Sequence, residues 1–160
     1  MHDEMLEFTI YGAAIIPQSQ APLIILYNEK EKISLSLPVG PFEASAIIIE
    51  MEGVVPPRPL THDLFAQLFA KHHLDLISVE IYACLEDGQL ARIIYRHGLV
   101  KHAMEVRPSD GIALAVRLDA PIYIAAEVTD RFQTQIESLY NAGRENGEIL
   151  YLHPEATQLM

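Results

Sequence analysis

Cysteine is nearly missing from this chain: Cys84 is the single one in 160 residues. One cysteine cannot close an intrachain disulfide, and alone it cannot build a zinc site of the multi-cysteine kind. It stands in "EIYACLED", an apolar strand end, where a buried and inert thiol is expected. Basic residues are also scarce. Lys and Arg number 11 against 22 Asp and Glu, a formal net charge of -11. No basic run occurs, which weighs against an extended nucleic-acid-binding surface. A phosphate substrate would need a divalent cation or a local group of arginines to offset the acidic field. No uncharged apolar run approaches the ~20 residues of a membrane helix. The acidic start "MHDEMLEFTI" has neither the basic opening nor the long apolar stretch of a signal peptide. A cytoplasmic protein without membrane association is therefore expected. Paired-histidine metal motifs, a Gly-rich phosphate loop and a Gly-x-Ser-x-Gly elbow are all absent.

What is present is a large apolar fraction. Half of the residues are hydrophobic, enough for a sizeable core, and the length favours one domain. Leu6, Phe8 and Ile10 alternate with Glu7, Thr9 and Tyr11, the pattern of a half-buried strand. Leu23–Tyr27 and Ile33–Leu37 flank the charged turn "NEKEK" and read as a hairpin. "VGPFEASAIIIEMEG" reads as a helix with Gly40 as N-cap, Pro41 at the first position, Glu43 in the first turn and Gly53 at its close. After the stiff link "VVPPRP", a helix is predicted from about Thr61 to His72, with Thr61 as cap. Its stripe is Leu64, Phe65, Leu68 and Phe69.

Strands around Ile77–Ile81, Leu90–Arg96 and Leu99–Val106 follow as a meander, joined by the Asp-Gly turn of "EDGQ" and by "HG". A helix from Pro108 to about Leu118 and a strand in "APIYIAAEV" come next. A last helix is predicted to begin at Asp130, with a capping box to Gln133 and a stripe of Phe132, Ile136, Leu139 and Tyr140, ending at Gly143. "GEILYL" reads as a closing strand, followed by a loose tail from His153. Strands in hairpins rather than in strict alternation with helices imply an α+β fold, mainly antiparallel, with about four helices. The expected division is a domain over residues 1–145 and an extension over residues 146–160.

Two helix starts look alike: "RPLTHDLFAQLF" and "RPSDGIALAV". Pro, a hydroxyl residue and Asp are what a helix N-terminus favours, so Thr61, Asp63, Ser109 and Asp110 have an ordinary explanation as caps. Arg58 and Arg107 do not, because a cation gains nothing at that end of the dipole. Each needs either a carboxylate partner, with Glu105, Asp63 and Asp110 the candidates, or an anionic ligand. For Arg107 the expectation is burial with such a partner. His62, beside Asp63 in the first turn, is expected partly exposed and neutral near pH 7, able to ligate a metal or act as a base.

These stretches, together with "LSLPVGPFEASAI" and "APIYI", resemble the bifunctional nuclease family over roughly Leu6 to Thr129. The matching positions are Glu43, Arg58, Thr61, His62, Asp63, Arg107, Ser109 and Asp110. The resemblance implies an α+β fold, frequent dimerisation and nuclease activity on DNA and RNA. Departures are Glu105-Val106 where Asp followed by Ala or Ser is usual, Gly111 where Ala is usual, and the residues around Pro38.

Two functions follow as expectations. In the first, Glu43, Asp63, Glu105 and Asp110 hold Mg²⁺ or Mn²⁺, Arg58 and Arg107 hold a phosphate of DNA or RNA, and His62 serves as base. In the second, the chain is a non-catalytic module for a small anionic ligand or a protein partner, and the arginines lock helix starts to the sheet. A homodimer is expected in either case, because hairpin edges need cover.

Overall fold

The computed structural model describes residues 4–15, 21–134, 141 and 148–152. Its elements are β1 (Met5–Ile15), β2 (Leu23–Asn28), β3 (Ile33–Pro38), α1 (Pro41–Met51), α2 (Thr61–Lys71), β4 (Leu74–Leu85), β5 (Gly88–His97), β6 (Val100–Val106), α3 (Pro108–Leu118), β7 (Ile122–Ala125), α4 (Ala126–Phe132), β8 (Gln133–Thr134) and β9 (Glu148–Leu152). The fold is α+β. The strands form one sheet in the order β6-β5-β4-β7-β1-β2-β3-β8, with β9 also paired to β1. Every pairing is antiparallel except β4 with β7.

The predicted hairpins form; the turn between β4 and β5 is Glu86-Asp87, and Gly88 takes a positive φ as the first residue of β5. The closing strand forms as well, on β1 rather than beside β8. Phe8, Ile24, Leu26, Val79, Ile81 and Ile124 of the sheet join Ile47 of α1 and Ile112 of α3 in one core. At ~25 cal/mol per Å² of apolar surface, each such side chain contributes about 1.5–3 kcal/mol. No helix among the described residues is long and apolar enough to cross a membrane.

Three expectations need correction. The strand after Pro121 stops at Ala125, and the helix that follows it starts there rather than at Asp130. Ala125, Ala126 and Glu127 are good helix formers, and the N–H of Ala126 turns back to the Glu4 carbonyl. The chain therefore enters α4 at once and buries Val128. Asp130 lies inside that helix, Gln133 lies beyond it, and Ile136, Leu139, Tyr140, Gly143 and the tail from His153 fall outside the described residues.

The caps also differ. Thr61 and Ser109 stand inside their helices, whose N-caps are Leu60 and Arg107. The Asp63 carboxylate accepts from the Leu60 N–H at 2.8 Å, so the acid of the first turn satisfies the orphan donor. Cys84 is half-buried, not buried, with Sγ 3.4 Å from the Leu85 carbonyl.

Gly111 has a packing reason. A Cβ there would meet Val79 Cγ1 at 2.8 Å and Val106 Cγ2 at 3.3 Å, and β-branched side chains have little freedom to yield. Glycine brings the start of α3 directly onto β4 and the end of β6. That close approach positions the site.

Candidate functional site

The starts of α1, α2 and α3 converge beside the end of β6. They surround a pocket of about 950 Å³. Its floor is apolar, from Phe69, Ile93 and Leu114, while Phe42, Phe65 and Met104 stand exposed at its rim. One end is polar, with Glu43, His62, Arg107 and Asp110. The two similar helix starts do meet.

Three contacts define the polar end. His62 Nε2 lies 2.9 Å from Asp110 Oδ1. Arg107 Nε donates to Asp110 Oδ2 at 2.7 Å, and its NH2 group donates to Asp110 Oδ1 at 3.2 Å and to Glu43 Oε1 at 2.8 Å. Glu43 reaches Arg107 by folding back over Gly40, where any Cβ would collide with its carboxylate. Burial raises the Asp110 carboxyl, but hydrogen bonds from Arg107 and His62 outweigh it and hold the group below its usual range. An ionised Asp110 can only accept, so the Nε2 of a neutral His62 carries the proton and Nδ1 keeps the lone pair. His62 is more enclosed than expected, with its side chain 14% exposed.

Behind this end lies a second pair that the sequence reading missed. Arg117 is 3% exposed in its side chain, and its Nε donates to Asp63 Oδ1 at 2.7 Å. Its NH1 donates to the Ala113 carbonyl at 2.8 Å and its NH2 to the Ala46 carbonyl at 3.0 Å. One guanidinium thus ties α1, α2 and α3 together. The signal is an Arg ending the apolar run "GIALAVR", where a charge on a buried helix needs a partner. The Leu60 N–H bond first, then Arg117, hold the Asp63 carboxyl below its usual range.

The remaining candidates are more scattered. Arg58 is exposed and makes no ion pair or side-chain hydrogen bond among the described residues. Glu105 edges the pocket, but its neighbour Val106 faces Gly111, so strand alternation turns Glu105 to the other side of the sheet, opposite Arg92. Arg107 has the expected carboxylate partner but not the expected burial, being 67% exposed. Its position at the helix N-cap on the pocket rim keeps it in water.

Two results are expected from these contacts. Arg107→Ala should lower stability by less than about 1 kcal/mol in urea denaturation, as for exposed pairs. Asp63 and Asp110 have lowered pKa values, so their contribution is complete above the usual carboxyl value and is lost as pH falls through the folded-state values. The melting temperature should therefore drop below about pH 4, and Asp63→Asn should drop less steeply there. Parallel slopes for the two proteins would contradict that origin.

The four carboxylates do not fit a shared divalent-cation cage. Arg107 already stands between Glu43 and Asp110, Arg117 holds Asp63, and Glu105 faces away. Among the described residues, no three His, Cys, Asp or Glu side chains are placed to hold one ion.

The structure thus defines an α+β domain with a mostly apolar pocket that gathers a few convergent polar groups. The chain belongs to the bifunctional nuclease domain family, whose description matches residues 24–137. Two curated relatives are uncharacterized proteins of Mycobacterium tuberculosis, from strains CDC 1551 and H37Rv. Each is 34% identical over 124 residues, covering 78% of this chain and 74% of its own length.

Proposed function

We propose that the pocket binds and hydrolyses phosphodiesters through His62, Asp110 and Arg107. The contact that carries this reading is His62 Nε2 to Asp110 Oδ1 at 2.9 Å, at the polar end of the pocket. Membership of the bifunctional nuclease domain family supports the same chemistry. Asp110 orients the imidazole and stabilises its charged form. The Nδ1 lone pair accepts a proton from the attacking water. A phosphorus–oxygen bond forms to that water as the bond to the leaving oxygen breaks, and the leaving oxygen takes a proton from solvent. Arg107 steadies the phosphate through NH1, which makes no hydrogen bond among the described residues, while Glu43 and Asp110 hold the rest of the guanidinium. The residues do not suit a carboxylate-held Mg²⁺ or Mn²⁺, and no step depends on one.

The test is cleavage of short single-stranded DNA and RNA by the full chain in excess EDTA. Cleavage is expected to persist. Cleavage that disappears with EDTA and returns with Mn²⁺ would overturn the metal-free mechanism.

A second reading is favoured by the apolar walls of the pocket and the net charge of -11. In it the chain is a binding module for a small anion or a protein partner, and no cleavage is seen under any condition. In either reading the assembly is a homodimer. Exposed Leu64 and Leu68 on α2, exposed Leu99 and Val100, and the edge position of β6 among the described strands support it. Light scattering at micromolar concentration should give twice the chain mass of 17.9 kDa; a monomer would rule the dimer out.

A further inference from the structure

The pocket has far more apolar wall than a bare phosphate needs. Phe42 is 86% exposed, although it lies in the first turn of α1, whose next residue, Glu43, is built into the site. Phe65 is also exposed and lies one helical turn beyond His62, so the two share a face of α2. Phe42 directly precedes Glu43, the residue that grips Arg107. Both exposed rings line the same pocket as Glu43, His62, Arg107 and Asp110, together with apolar Phe69, Ile93 and Leu114.

We infer that this pocket is a slot for one unpaired nucleotide. The base stacks on the aromatic rim of Phe42 and Phe65, and the adjoining phosphate meets Arg107. The inference rests on the reading of the site as one for phosphodiesters and narrows it to single-stranded or short oligonucleotides. Base–aromatic stacking accepts any base, because every base has a π-face. A paired base would have to leave its stack to enter, which disfavours duplex by a few kcal/mol, about a hundredfold. The charge pattern agrees. Arg107 offers one guanidinium to one phosphate, and the acidic chain has no basic track for the neighbouring ones. Affinity should therefore stop rising after a few nucleotides. The salt dependence should be shallow, with log K falling by about 0.7 per decade of salt for one phosphate contact on a single strand.

The experiment is fluorescence anisotropy with the full chain and a labelled thymidine tetranucleotide in EDTA, beside a labelled hairpin duplex and an aryl carboxylate competitor. Wild type should bind the single strand and bind the hairpin about a hundredfold more weakly. Phe42→Ala and Phe65→Ala should each weaken binding by about tenfold, a stacking loss. Leu85→Ala, an exposed apolar residue outside the pocket, should not. Both phenylalanines are exposed, so unchanged melting temperatures confirm that these variants fold. The slot is overturned if the phenylalanine variants bind like wild type, if the hairpin binds equally, or if the aryl carboxylate binds and the oligonucleotide does not. Binding as expected without cleavage would sink the hydrolase reading and leave the slot standing. Cleavage unaffected by both phenylalanine substitutions would do the reverse.

Discussion

Arg117→Met is expected to destabilise the protein by on the order of 3–5 kcal/mol, the loss seen when one partner of a buried ion pair is removed. Methionine keeps most of the apolar stem, so a cavity does not explain the loss. What goes is a guanidinium that satisfies Asp63 and the carbonyls of Ala113 and Ala46 at once. Asp63 is 21% exposed, too enclosed to recover full hydration when its partner leaves. Asp63→Asn should cost less. The amide oxygen can still accept from one of the two donors, Arg117 Nε or the Leu60 N–H, which the carboxylate holds on separate oxygens, and the charge left behind belongs to a guanidinium that keeps two carbonyl partners. Urea denaturation separates the outcomes. A loss below about 1 kcal/mol for Arg117→Met would mean that the pair is screened like a surface one.

Asp110→Asn and His62→Ala are expected to reduce phosphodiester cleavage by about 10²–10⁴-fold, the range for a positioned general base. The amide keeps the shape of Asp110 but cannot stabilise the charged imidazole, and it frees the ring to take the wrong tautomer. Folding should survive, because the helix-dipole contribution at the first turn of α3 is ~0.3–1 kcal/mol and the partner lost with the charge, Arg107, is an exposed guanidinium that keeps Glu43. Asp63→Asn should leave cleavage within a few-fold of wild type, since its carboxylate serves Arg117 and the Leu60 N–H. A shared metal cage expects the opposite: loss of activity in both variants.

Much of this was readable in the order of residues. The Asp-Gly turn, the alternation in β1, and Pro41 and Pro108 at helix starts depend on local chemistry, so those elements came out nearly as expected. α4 did not. "AAEV" follows a strand and suits either state, and the choice depends on Val128 finding the core. At the site, Arg107 was legible because a cation before a helix N-terminus needs a reason. Its partner Glu43 stands 64 residues away, and the fold-back over Gly40 depends on tertiary contact. Asp63 and Asp110 looked equivalent in sequence. Only the packing of α2 on α3 assigns one to Arg117 and the other to His62. The metal expectation failed to find support for the same reason. Carboxylates can be counted in a sequence, but the guanidiniums occupying the space between them cannot.

The most direct measurement is single-strand cleavage in EDTA by wild type, Asp110→Asn and Asp63→Asn, purified in parallel. The account predicts cleavage by wild type and by Asp63→Asn, and a loss of about a hundredfold or more in Asp110→Asn. Equal cleavage by all three proteins, or equal loss in both variants, would contradict it.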